Sequence, residues 1–344
     1  MEPIQLGSLT IWPFGLFFAV LLIPFFVFSS RTMKKNRLKK ETASWFALLA
    51  VPLCFILARI GFCLFAVDQM IGYDDFGMIF RTWEGGFLLW GALCGIFLAA
   101  KFTGRITGQS GAVISDSVII PVCLMIAAVR LLGGLMFESF GVGLSLDYWF
   151  SPEETDMASR YSIWPLADYS FFERFPFAVQ NYYGTWSWAV FVLQALWAAG
   201  IALLLRRTHT LPGGRTVLFV ILFSSGSILL ESMLFGGEIV RLPWLAFVKA
   251  NQILCAIALL CVLILCLRRL KKGERLKPAL WTSGGFLASI GIIIVLEFAV
   301  FEKKLPALKG LPSDVCHLIM ALVCLWIALS FCRIWKKAYR TESL

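Results

Sequence analysis

Of 344 residues, 59% are hydrophobic and 15% charged, and the mean hydropathy is +0.82. Those proportions exclude a soluble globular enzyme, a disordered chain and a disulfide-stapled secreted scaffold. The net charge of +10 comes from short basic blocks between apolar runs, which is the pattern of loops beside a membrane and not of a nucleic-acid surface.

Nine apolar runs are long enough to cross a hydrocarbon core of about 30 Å. In chain order they cover residues 11–29, 44–67, 85–101, 114–137, 185–205, 216–236, 246–267, 279–301 and 313–333. The first follows Glu2 and is not followed by a small-residue cleavage site, which predicts a retained helix and not a signal peptide. Between the first two runs stand Arg31, Lys34, Lys35, Arg37, Lys39 and Lys40, and six further basic residues lie around 268–278. With these blocks inside, 21 of the 31 basic residues are cytoplasmic, seven are external and three lie within spans. The positive-inside bias then puts the N-terminus outside and the C-terminus inside. The expected fold class is an all-α polytopic membrane protein of nine transmembrane helices. Residues 138–184, rich in Trp, Tyr and Phe, form a long outer segment, either a lid or docking surface or a partly ordered interfacial loop.

All ten cysteines fall in or at the edges of spans, with no CxxC pair, and read as small packing residues. No G-x-S-x-G, H-E-x-x-H or P-loop pattern occurs. Neither a metal nor another cofactor is expected. His209 falls in a cytoplasmic loop and His317 at the outer start of the ninth span.

Charge at membrane depth is costly and marks function by default. Arg59, Arg130 and Glu231 fall on the second, fourth and sixth spans, all predicted to run from inside to outside. Each stands 15 or 16 residues beyond its span's start, a rise of roughly 22–24 Å. Lys249 enters the seventh span at a similar level. One reading is a cationic cavity in the outer leaflet suited to phosphate, which the planar guanidinium grips in two places. The other is a structural Arg–Glu pair, or an Arg snorkelling to the surface. Gly133 and Gly134, one turn above Arg130, allow close approach of a helix or a lipid.

The stretch Arg81-Thr82-Trp83-Glu84-Gly85-Gly86-Phe87-Leu88-Leu89-Trp90-Gly91 resembles the W-E-G-G-x-x-x-H-G-G segment of bacterial prolipoprotein diacylglyceryl transferases. Further matches follow in order. Trp12-Pro13-Phe14-Gly15-Leu16 resembles the family's W-Y-G-L, and Ala58-Arg59 its G-A-R. Asp116 stands 14 residues before Arg130, as in the family, and Arg130 with Glu138 resembles the G-R-I-G-N-F-x-N-G-E signature. Gln180 and Tyr182 are similar to the Gln and Tyr of H-P-S-Q-L-Y-E, Glu231 to the Glu of F-R-F-x-x-E-F, and Gln252 to the Gln of M-G-Q. The likeness covers residues 5–268. It implies a seven-helix core over 1–268, with 269–344 an added two-helix hairpin and a short cytoplasmic tail.

The resemblance implies transfer of the diacylglyceryl group of phosphatidylglycerol, or of another anionic phospholipid, to the thiol of a prolipoprotein lipobox cysteine. The site would lie at the outer leaflet of a bacterial plasma membrane. Arg130, Arg59, Lys249, Gln180, Gln252, Gly133 and Gly134 would hold the lipid and its phosphate. Several family positions differ. The His stands as Trp90, which cannot accept a proton, and the W-Y-G-L Tyr stands as Phe14. The signature Asn stands as Gly133, and the His and Glu of H-P-S-Q-L-Y-E as Phe177 and Tyr183. The Arg four residues before Glu231 stands as Ser227. A replacement base would be Glu84, Glu138, Glu231 or Tyr182. The competing reading is a non-catalytic protein that binds phospholipid or lipoprotein, or a subunit working with a membrane protein partner.

Overall fold

A computed structural model describes residues 4–6, 9–11, 13–67, 70, 76–82, 86–136, 175–180, 186–234, 249–270, 276–302 and 313–339. Strands β1 (Ile4–Leu6) and β2 (Leu9–Ile11) form a small antiparallel hairpin. Then come α1 (Pro13–Lys35), α2 (Lys40–Phe65), α3 (Leu89–Thr107) and α4 (Gly111–Met136). A second antiparallel pair, β3 (Ala178–Gln180) and β4 (Trp186–Trp188), precedes α5 (Val190–Arg207), α6 (Gly214–Ser232) and α7 (Ala250–Arg269). The chain ends in α8 (Leu276–Glu302) and α9 (Ser313–Tyr339). All nine α-helices among the described residues are long and apolar enough to cross a membrane. The chain is an all-α polytopic membrane protein with two minimal strand pairs.

The helices correspond to the nine predicted spans, but several run further into the basic blocks. Lys34 and Lys35 close α1, Arg206 and Arg207 close α5, Arg268 and Arg269 close α7, and Lys336 and Lys337 lie in the last turn of α9. Cations at a helix C-terminus meet the partial negative charge of its free carbonyls, so these blocks extend helices that hydropathy alone ends early. Because successive helices alternate in direction, these four termini share one end of the bundle, the basic end.

The most enclosed helix is α6, with 67% of its most apolar window buried against 17% for α1 and α2. It packs against α4, α5, α7 and α9. Elsewhere, exposed Leu, Ile, Val and Phe side chains such as Leu48, Leu64, Leu203, Leu280 and Leu322 cover the outward faces, as hydrocarbon contact requires. The tightest helix pair is α2 with α3. A Cβ at Gly91 would collide with the Leu57 carbonyl, and one at Gly95 would stand 2.6 Å from the Cys54 backbone. Such contact between backbones is how helices associate where no water drives them together.

Helix α9 anchors the α8–α9 hairpin to the rest of the bundle. At the basic end Trp335 Nε1 donates to the Gly214 carbonyl at 2.8 Å, and the Leu211 N–H donates to the Tyr339 carbonyl at 3.2 Å. The Arg269 guanidinium covers the Tyr339 ring at 4.2 Å.

Candidate functional site

The arrangement begins at the basic end, where Asp116 of α4 caps α6. Its Oδ2 accepts from the Gly213 N–H at 2.7 Å, and its Oδ1 accepts from the Thr216 N–H at 2.9 Å and hydroxyl at 2.7 Å. A carboxylate on the free N–H groups of a helix start is stabilised by both hydrogen bonds and the helix dipole. This cap fixes the register of α4 against α6.

Four turns further along the same two helices, Arg130 Nη2 and Glu231 Oε1 stand 3.8 Å apart. That is an ion pair without a hydrogen bond. To no described residue does Arg130 donate a hydrogen bond, and from none does the Glu231 carboxylate accept one. The Glu231 side chain is 7% exposed and that of Arg130 32%, so the pair is buried on one side and reachable on the other. Both line an open recess shared by α3 to α7, together with Trp90, Gln194, Ser227 and Asn251. The Asn251 Oδ1 is buried without a described hydrogen-bond partner. Trp90 packs edge-on against Phe223 at 5.9 Å and makes the recess wall apolar where the resemblance has a His.

Arg59 is held differently. Its guanidinium donates to the carbonyls of Ile79 at 3.2 Å, Gly86 at 3.0 Å, Arg81 at 3.0 Å, and Met78. It also lies over the rings of Phe62 and Phe87. These contacts tie the end of α2 to the segment entering α3, and Arg59 does not line the recess. Gly86, at φ 77°, presents its carbonyl to Arg59 in a conformation a side chain would strain.

Lys249 reaches back to the C-terminal end of α6, donating from Nζ to the Glu231 carbonyl at 2.5 Å and to that of Leu234. One turn on, Gln252 accepts from the Lys249 N–H at 3.2 Å and donates from Nε2 to the Ile228 carbonyl at 3.2 Å. Its second Nε2 bond, 2.6 Å long, goes to Oε1 of Glu297 on α8. His317 on α9 stands 3.3 Å from the Ser232 hydroxyl.

The structure therefore brings Arg130, Glu231, Lys249, Gln252 and Trp90 into one neighbourhood and holds Arg59 apart. Gly133 lies half-buried near the end of α4, and Gly134 is where that helix meets the Phe191 side chain of α5. Gln180 has its backbone in β3, paired with Trp186. Its side chain, Glu84, Glu138, Tyr182 and the segment 138–174 lie outside the described residues. Gln194, Asn251 and Glu297 were not singled out from sequence. Gln194 and Glu297 are polar residues within apolar spans, and Glu297 satisfies the depth argument made for the other charges. Among the described residues no group of three His, Cys, Asp or Glu side chains is placed to hold a metal ion.

Comparison with known proteins bears on this geometry. The family model described as prolipoprotein diacylglyceryl transferase matches residues 2–268. The chain is 25% identical over 235 residues to the phosphatidylglycerol–prolipoprotein diacylglyceryl transferase of Halalkalibacterium halodurans, covering 67% of this chain and 74% of that protein. It is 25% identical over 274 residues to the protein of that name from Listeria monocytogenes serovar 1/2a, covering 78% and 89% respectively. The match takes in helices α1 to α6 and all of α7 but its last residue, Arg269, and α8 and α9 lie beyond it.

Proposed function

Since the chain belongs to the prolipoprotein diacylglyceryl transferase family, we propose that it transfers the diacylglyceryl group of phosphatidylglycerol to a prolipoprotein cysteine. The donor is taken from the outer leaflet of a bacterial plasma membrane, with the N-terminus outside. The observation that carries this reading is the Arg130–Glu231 pair, half-open to the recess, with donors of Arg130 that no described residue occupies.

In the reaction the thiol sulfur attacks the glyceryl carbon bonded to the phosphate oxygen. A carbon–sulfur bond forms and the carbon–oxygen bond breaks. Glycerol phosphate leaves with the electron pair of that bond, and the thiol proton passes to a base. The phosphate gains a negative charge as it departs. A guanidinium that strengthens its hold as charge develops lowers the barrier and does more than bind the substrate. When the lipid phosphate takes Arg130, Glu231 is released from its partner and becomes the proton acceptor. Lys249 and Gln252 tie the start of α7 to the end of α6, which carries this carboxylate.

A second reading, non-catalytic binding of an anionic phospholipid, is favoured by Trp90 alone, whose indole lines the recess and cannot take a proton. The two separate in one experiment. Full-length protein in phosphatidylglycerol nanodiscs is mixed with a lipobox cysteine peptide, and peptide mass is followed. Addition of a diacylglyceryl mass, abolished in Arg130→Ala, is the expected result. Phosphatidylglycerol binding with no mass gain, beside an active relative, would leave only the binding reading.

A further inference from the structure

We propose that Glu297, on the hairpin beyond the family match, is a positioning residue for the Arg130–Glu231 pair. The proposal rests on the reading of that pair as the lipid-phosphate site and extends it to α8.

The placement of Glu297 needs a cause. It is 1% exposed in an otherwise apolar stretch of α8, where a leucine would pack without desolvating a carboxylate. What it holds is Gln252, through the 2.6 Å bond to Nε2. The same Gln252 amide accepts from the Lys249 N–H, and the Lys249 Nζ donates to the Glu231 carbonyl. A continuous path therefore runs from α8 through the first turn of α7 to the end of α6, where Glu231 faces Arg130. Lys249 also lies within electrostatic reach of both carboxylates. The other hairpin helix touches the residue after Glu231, through His317 and Ser232. Thus α9 meets the end of α6 directly at Ser232, and α8 reaches it through Gln252 and Lys249. With Trp335 and Tyr339 anchored at the basic end, α9 is the strut against which α8 packs.

The path predicts a graded outcome. Glu297→Leu removes the acceptor and strands a buried amide, so Glu231 loses its alignment. Misplacement of this order reduces rate by up to about 10²-fold, even from a residue remote from the chemistry. KM for phosphatidylglycerol should not rise, because Arg130 is not touched. Glu297→Gln keeps an oxygen for Gln252 and should recover most of the rate. In the swap Gln252→Glu with Glu297→Gln, the bond is restored with its polarity reversed, so the double variant should outperform Gln252→Glu alone. A pure packing role would lower the melting temperature of Glu297→Leu without this rescue pattern.

The test uses full-length protein in phosphatidylglycerol nanodiscs, with peptide transfer and amide hydrogen exchange measured on the same samples. Slower turnover in Glu297→Leu with faster exchange over 228–234 and 249–252, both reversed in Glu297→Gln, supports the proposal. Unchanged exchange in those segments overturns it whatever the turnover, as does a Gln variant no better than Leu. Should Glu297→Leu fail to fold, absence of gain in the swap overturns it instead. If the exchange pattern holds while the unsubstituted protein transfers nothing, the transfer reading fails and the positioning stands.

Discussion

Replacing Glu231 by Gln should tighten the hold on an anionic lipid, although it removes a candidate catalytic group. In the resting pair the carboxylate occupies the guanidinium that a phosphate needs, so binding has to displace it. At the observed 3.8 Å the attraction is about 4 kcal/mol for an effective dielectric near 20. Because the Arg130 side chain is 32% exposed, screening reduces the usable part to about 1–2 kcal/mol. Freeing Arg130 of that competitor raises phosphatidylglycerol affinity by about 5–30-fold. Turnover moves the other way, since loss of the proton acceptor costs about 10²–10⁴ in rate. Arg130→Ala lowers affinity and turnover together. Affinity is measured by titrating phosphatidylglycerol into phosphatidylcholine nanodiscs and counting bound lipid by native mass spectrometry. A Glu231→Gln protein that melts like the unsubstituted chain yet binds phosphatidylglycerol no more tightly would refute the competition on which this mechanism depends.

Two further outcomes follow from the same contacts. Asp116→Ala deletes three accepted hydrogen bonds at the start of α6 and should lower unfolding free energy by about 2–3 kcal/mol, read as earlier unfolding on titration with denaturing detergent; no change would mean that the cap contributes nothing net. Arg59→Lys replaces a fork serving four carbonyls by an ammonium with at most three donors, so stability should fall by about 2–4 kcal/mol while phosphatidylglycerol affinity stays within about 2-fold. Parallel losses of both would return Arg59 to the lipid site.

Hydropathy made the nine membrane helices legible, because a bilayer allows few ways of satisfying a backbone. The depth argument also placed Arg130 and Glu231 at one level, and here they face each other across 3.8 Å. Depth alone could not separate Arg130 from Arg59. Both are arginines of similar height in apolar spans, and what distinguishes them is whether loop carbonyls return to meet the guanidinium, as they do for buried Arg59 and not for partly exposed Arg130. That depends on the path of residues 76–86, which no periodicity encodes. Glu297 was legible by the same rule as the other charges, but it stands in the hairpin beyond the resemblance. Gln194 and Asn251 carry no charge, and only the convergence of α5 and α7 on the recess gives them significance.

Asp116 and Thr216 form one rung between α4 and α6, and Arg130 and Glu231 form the next. The rungs are 14 residues apart on one rail and 15 on the other. Deleting a single residue between them on one rail would turn its upper end by about 100° and lower it by about 1.5 Å, swinging one partner out of reach. The interval therefore acts as a gauge between the two ends. Both rails must shorten or lengthen together, by about a whole turn, for the two ends to keep meeting. The apolar side chains between the rungs are free to drift under that one constraint.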